Sequence, residues 1–129
     1  MAHVLLVDDH LDGREAVARF LALRGHESTT AFDGRDAMSK LLTDRPDVII
    51  LDMRMPRMDG IGLLELLRSY QQWTNLPVIL LTAEARPDEI RQARDLGVRR
   101  IFRKARYDLE DLATAVDECV APPPTHRSS

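Results

Sequence analysis

Val48-Ile49-Ile50-Leu51-Asp52 is four large apolar side chains closed by a carboxylate. A run that is apolar at every position, with no polar alternation, is what a strand buried on both faces requires, and both faces of a sheet are buried only when helices cover them. The acid marks where the chain leaves the core. Two further runs have the same form: Val4-Leu5-Leu6-Val7 followed by Asp8-Asp9, and Val78-Ile79-Leu80-Leu81 followed by Thr82. Between and beyond them the apolar residues recur at helical spacing: Ala16, Val17, Phe20 and Leu21, then Ile61, Leu64 and Leu67, then Ile90, Ala93 and Leu96. Weaker strands are predicted at residues 27–31 and 98–103, each following a helix stop at Gly25 or Gly97. Helices are predicted over residues 11–24, 34–43, 60–72, 87–96 and 108–120.

Strands and helices alternate, and right-handed crossovers then lay helices on both faces of one parallel sheet. The expected fold class is α/β, a doubly wound, flavodoxin-like sheet of five strands in the order 2-1-3-4-5. Polarity agrees with that order. The second strand carries Glu27, Ser28, Thr29 and Thr30 and the fifth Arg99, Arg100 and Arg103, as edge strands do, while the three apolar runs are central. Residues 1–120 are expected to form one domain. Residues 121–129, with three consecutive prolines, are expected to be a disordered tail.

The chain has 129 residues, 44% of them apolar and 30% charged, which suits one packed core and excludes wholesale disorder. Eighteen basic and 21 acidic side chains give a net charge of −3, so nothing global attracts the chain to nucleic acid or to an anionic membrane. No DNA contact and no membrane association are expected. Cys119 has no internal partner, the opening apolar run is too short for a signal peptide, and a reducing cytoplasm fits both. The four histidines lack metal-ligand spacing among themselves.

In a parallel sheet every strand delivers its last residue to one edge, where ligands bind. Asp8, Asp9, Asp52, Thr82 and Lys104 are those residues here. With the first and third strands adjacent, three carboxylates crowd into one pocket, and a divalent cation relieves their repulsion. Hard oxygen ligands point to Mg²⁺. Asp52, the central acid, is the expected nucleophile toward a phosphoryl donor. Lys104 and Thr82 would each meet a phosphoryl oxygen, and Ala83 is small enough to leave access. Asp8-Asp9 taken alone reads as a helix cap, and Thr82 or Lys104 alone as ordinary strand-end residues. Their common register is what favours a site.

Val7-Asp8-Asp9, Leu51-Asp52-Met53-Arg54-Met55-Pro56-Arg57-Met58-Asp59-Gly60, Leu81-Thr82-Ala83 and Lys104 together resemble the response-regulator receiver domain, the CheY-like phosphoacceptor of two-component signalling. The resemblance runs from residue 3 to about residue 120. It implies phosphorylation of Asp52 by a sensor histidine kinase or phosphotransfer protein. It further implies Asp9 as a direct Mg²⁺ ligand, Asp8 as a ligand through water, the Arg54 carbonyl as another, and Thr82 and Lys104 as the switch pair. Gly60 resembles the glycine of the family's tight loop after the third strand. No enzymatic turnover beyond self-phosphorylation and self-dephosphorylation is expected. Two departures bear on output: Lys104 is followed by Ala105 where the family usually has proline with a cis bond, so a trans bond is expected, and Ile101 stands where an aromatic is usual. Phe102, next to it, should face the other side of the strand.

Arg54 and Glu84, each two residues beyond a site residue, are expected to flank the pocket mouth and tune hydrolysis, possible partners in a weak salt bridge. Arg99, Arg100, Ile101, Arg103 and Arg106 form a candidate partner face between the fourth and fifth helices, suited to an acidic effector or to a homodimer pairing with Asp108, Glu110 and Asp111. Its alternative is a plain solvated edge. Two other roles compete with the switch: an interaction module that is never phosphorylated, and a sink for phosphoryl groups. A metal-dependent phosphatase is disfavoured by Arg54, where such enzymes pair the nucleophile with a second acid, and a flavin site by two acids where a phosphate needs donors.

Overall fold

The computed structural model describes residues 2–55, 59–83, 86–104 and 108–120. Five strands, β1 (His3–Val7), β2 (Glu27–Ala31), β3 (Val48–Asp52), β4 (Val78–Thr82) and β5 (Arg100–Arg103), alternate with five α-helices, α1 (Leu11–Leu23), α2 (Gly34–Thr43), α3 (Gly60–Ser69), α4 (Pro87–Asp95) and α5 (Leu109–Val120). The strands form one parallel sheet in the order β2-β1-β3-β4-β5. This is the expected order, and β3 and β4 are buried at every position while β2 and β5 are partly exposed.

Alternation along the strands divides the core in two. Leu5, Val7, Ile49, Leu51, Val78 and Leu80 pack with Leu41, Leu63, Leu64, Leu67 and Trp73 beneath α2, α3 and α4. Val4, Leu6, Val48, Ile50, Ile79 and Leu81 pack with Val17, Leu21, Leu112 and Val116 beneath α1 and α5. A period of two on a sheet covered twice makes both sets apolar, which is why the runs read as continuous. Ile101 joins the first cluster and Phe102 the second, so the two point to opposite faces as expected.

Helix α3 stops three residues short of its predicted end. Tyr70 turns extended, and a 3-10 turn, Gln71–Trp73, brings the Trp73 indole into the core at 3% exposure. Strand β5 begins two residues later than predicted. The amide of Val98 is committed to the carbonyl of Ala93 at the end of α4, leaving Arg99 as the first residue to reach β4. Gly97, at φ 80°, makes that closure, and Gly25, at φ 86°, makes the same one after α1, where His26 N–H reaches Leu21 O and Gly25 N–H reaches Ala22 O. Both are Schellman caps. Asp33 and Asp59 cap α2 and α3 by accepting from Asp36 and Gly62 amides, each at 2.8 Å. Among the described residues no helix is long and apolar enough to cross a membrane.

Candidate functional site

The carboxyl ends of β1, β3, β4 and β5 lie at one edge of the sheet, and backbone bonds fix what each presents there. Asp8 N–H donates to Ala31 O at 3.0 Å, Met53 N–H to Leu81 O at 2.9 Å, and Lys104 N–H to Thr82 O at 2.8 Å. Asp52 is 2% exposed and Asp8 4%. Between them reaches Lys104, whose Nζ lies 3.0 Å from Asp52 Oδ2 and 3.4 Å from Asp8 Oδ2. The remaining oxygens are held by the backbone: Arg54 N–H donates to Asp52 Oδ1 at 3.3 Å and His10 N–H to Asp8 Oδ1 at 2.9 Å. Asp9 is exposed beside them. Gly60 closes the loop after β3, its N–H donating to Met53 O at 2.7 Å. A Cβ there would stand 2.7 Å from both Asp52 O and Met53 Cα. Close backbone approach, rather than a left-handed backbone, is what requires glycine.

Burial lifts the Asp52 carboxyl above its usual range, and the Asp8 charge adds to the lift. The hydrogen bond and charge of Lys104 oppose it without cancelling it. Burial also pulls on the Lys104 ammonium, but its bond to Asp52 and the two carboxylate charges outweigh that and hold it above the ordinary lysine value. Lysine thus remains charged beside a carboxylate of raised basicity. Ligand atoms of Asp8, Asp9, His10 and Asp52 all lie within 4.8 Å of one another, a spacing that fits one shared cation.

Asp8, Asp9, Asp52 and Lys104 are therefore brought together as their positions at strand ends predicted. Thr82 is fully buried at the end of β4, its hydroxyl 3.7 Å from Met53 Sδ, and Ala83 is exposed at the edge. Arg54 is exposed and pairs with Glu89 in the first turn of α4, Nη2 to Oε1 at 2.9 Å. Glu89 also accepts the Arg86 amide at 3.0 Å, and this bond, against burial and aided by Arg54, holds its carboxyl below the usual range. Glu84, Arg106 and the Lys104-Ala105 bond lie outside the described residues. On the basic face, Arg99 and Arg103 are exposed, whereas Arg100 packs over the Phe102 ring at 4.9 Å and lies 3.8 Å from Glu118. Glu110 pairs with Arg24, and Asp108 caps the Asp111 amide.

Sequence reasoning missed His10, Arg14 and Glu89. Spacing among the histidines carries no sign of His10, which lies beside the acids with its Nδ1 3.1 Å from Asp9 Oδ1 and 3.4 Å from Asp8 Oδ1. Adjacency to Asp8-Asp9 was the available signal. Arg14 Nη1 donates to Asp8 O at 2.6 Å from one turn into α1. Glu89 reaches Arg54 across 35 positions, which no local pattern announces.

A parallel sheet in this order with three acids and a lysine at its carboxyl edge defines the class of CheY-like α/β domains. The chain belongs to the response regulator receiver domain family of two-component signalling, whose pattern it matches over residues 4–117. It is 37% identical to "Response regulator MprA" of Mycolicibacterium vanbaalenii over 84% of this chain and 46% of that protein. Against "Gliding motility regulatory protein" of Myxococcus xanthus the identity is 34%, over 88% of this chain and 15% of that one. For "Regulatory protein AtoC" of Escherichia coli the figures are 36%, 91% and 25%. The chain thus spans less than half the length of these curated relatives. Among solved structures, chemotaxis protein CheY4 of Vibrio cholerae superposes with a TM-score of 0.85 at 33% identity, covering 93% of this chain and 99% of that one. The Francisella response regulator 1452 receiver domain gives 0.83 at 30%, covering 92% and 96%.

Proposed function

We propose that the chain is a phosphoacceptor switch in which Asp52 takes a phosphoryl group from the phosphohistidine of a sensor kinase or phosphotransfer protein. The observation that carries this reading is the buried Asp52 carboxylate held 3.0 Å from Lys104 at the open edge of the sheet. A carboxylate oxygen attacks phosphorus, the P–N bond to the donor imidazole breaks, and the leaving imidazole takes up a proton. Asp9 and Asp52 directly, Asp8 through water, and the Arg54 carbonyl would hold Mg²⁺, which supplies charge neutralisation for the acids and for a phosphoryl oxygen. Lys104 is placed to follow the new charge. Thr82 completes the switch by exchanging Met53 sulfur, a weak acceptor, for a phosphoryl oxygen.

On this reading the chain does no turnover beyond its own phosphorylation and dephosphorylation. It acts in the cytoplasm on an effector protein, docking through the face that α4, β5 and α5 form, where Arg99 and Arg103 present positive charge. Arg54 at the mouth, tied to Glu89, modulates access of water to the acyl phosphate.

The test is intact-mass measurement after exposure to a small phosphodonor, with and without Mg²⁺, on wild type and Asp52→Asn. A phosphate adduct that requires both Mg²⁺ and Asp52 supports the switch. No adduct on wild type, with no Mg²⁺ binding, overturns it in favour of an interaction module that is never phosphorylated.

A further inference from the structure

We propose that the cleft at the amino ends of β4 and β5 is a second binding site, one that takes a phosphate group through Arg68 and Arg99. It lies at the opposite edge of the sheet from Asp52, roughly one strand length of 15–20 Å away, and does not depend on the phosphoacceptor reading. The cleft has a volume of about 510 Å³, within the range of small-molecule sites. Asn75, on the connection from α3 to β4, forms one wall, and Asp95 and Gly97, at the end of α4, form the other.

Arg68 is half-buried and rigidly held. Its Nε donates to Leu96 O at 2.7 Å, and its Nη1 donates to Trp73 O at 3.0 Å and to Leu76 O at 2.8 Å. A guanidinium has five N–H donors, so these bonds leave both hydrogens of Nη2 without a partner among the described residues. Nη2 faces Gly97: a Cβ built on that glycine would stand 3.9 Å from it, so the lack of a side chain there keeps the nitrogen uncovered. Holding three carbonyls accounts for Nε and Nη1 and gives Nη2 no task.

Arg99 brings a second guanidinium to the same cleft, its backbone fixed by the N–H bond to Val78 O at 2.8 Å. Neither arginine is in an ion pair among the described residues. Burial, and then the charge of Arg99, pull the Arg68 guanidinium below its usual value, so folding sets two like charges against each other. An anion between them relieves that repulsion. Asp95 is the one acid on the cleft, which leaves a net positive charge. The exposed Asn75 amide, with no hydrogen bond among the described residues, adds a neutral donor. A carboxylate offers two oxygens in one plane, whereas a phosphate offers oxygens in several directions and can take donors from both walls at once. Guanidinium groups match it in charge and geometry.

The experiment is titration of the full chain, followed by its amide and arginine side-chain NMR signals, with inorganic phosphate, adenosine monophosphate and acetate at one ionic strength. Wild type, Arg99→Gln and Asp95→Asn are compared, and Arg68 is left intact because it holds three carbonyls. Phosphate is expected to shift the Asn75, Gly97 and Arg99 amides and the Arg68 Nε signal saturably, with acetate binding more weakly. Arg99→Gln is expected to weaken phosphate on the order of tenfold. Asp95→Asn is expected to tighten it about two- to threefold, a gain that damage to the fold would not produce. Tighter binding of adenosine monophosphate than of phosphate assigns the site to a phosphorylated small molecule, and equal or weaker binding assigns it to the free ion. No saturable shift at these signals, acetate binding as tightly as phosphate, or an affinity that neither variant moves overturns the proposal.

Discussion

Asp52 ionises near 3.8 as an ordinary carboxyl and higher in the folded chain. An acid with a raised folded value costs stability at neutral pH, and the cost disappears as pH falls through the folded value toward the ordinary one. Asp52→Asn is therefore expected to raise the midpoint of thermal unfolding by a few degrees at pH 7 in the absence of divalent ions, with the gain shrinking in acid. Unfolding curves at both pH values check the sign. Gly60 is the second decisive residue. Its missing Cβ leaves room for backbone atoms that would otherwise stand 2.7 Å away, so Gly60→Ala is expected to cost about 1–3 kcal/mol and to slow acyl phosphate formation by displacing the loop beside Asp52. Denaturant titration and adduct kinetics measure the two effects. Asp8, Asp9, Asp52 and Lys104 were legible in sequence because each lies at or just past the carboxyl end of a strand. His10 and Glu89 were not, since one needed the pocket's shape and the other a partner 35 positions away.

Elements end where local chemistry can end them, and one device recurs. After α1 and α4 a glycine with positive φ closes a Schellman cap. Gly25→Ala is expected to cost about 1 kcal/mol and to leave phosphoryl uptake unchanged, because the cap lies at the opposite edge of the sheet from Asp52. Equilibrium denaturation measures the cost. At the start of α4 Glu89 accepts the Arg86 amide and pairs with Arg54, and these contacts hold its carboxyl below the ordinary 4.5. A depressed acid contributes stability above its unfolded value and loses it as pH falls through its folded one. Glu89→Gln should accordingly lower the unfolding midpoint at pH 7, with the difference vanishing in strong acid. The glycine stops were visible in sequence. The early end of α3 was not, because apolar spacing continues past Ser69 and only the burial of Trp73 calls for a break.

For the molecule as a whole, the sheet divides its core in two and gathers charge at one edge, so stability and site oppose each other across the strands. An ion that binds only the folded pocket must add to stability by mass action. Saturating Mg²⁺ is expected to raise the unfolding midpoint of wild type and to leave that of a double Asp9→Asn, Asp52→Asn variant unmoved, which differential scanning calorimetry reads directly. Sequence alone determined the strand and helix alternation, the central and edge strands and the acids at strand ends, because burial on both faces writes continuous apolar runs and the first polar residue after each is forced to the edge. Tertiary structure alone decided that Lys104 spans Asp8 and Asp52, that His10 turns onto the acids, and that Arg54 is held by Glu89. The lysine and arginine contacts join chain segments far apart in sequence and the His10 contact follows from the shape of the turn after β1, and periodicity carries no record of either.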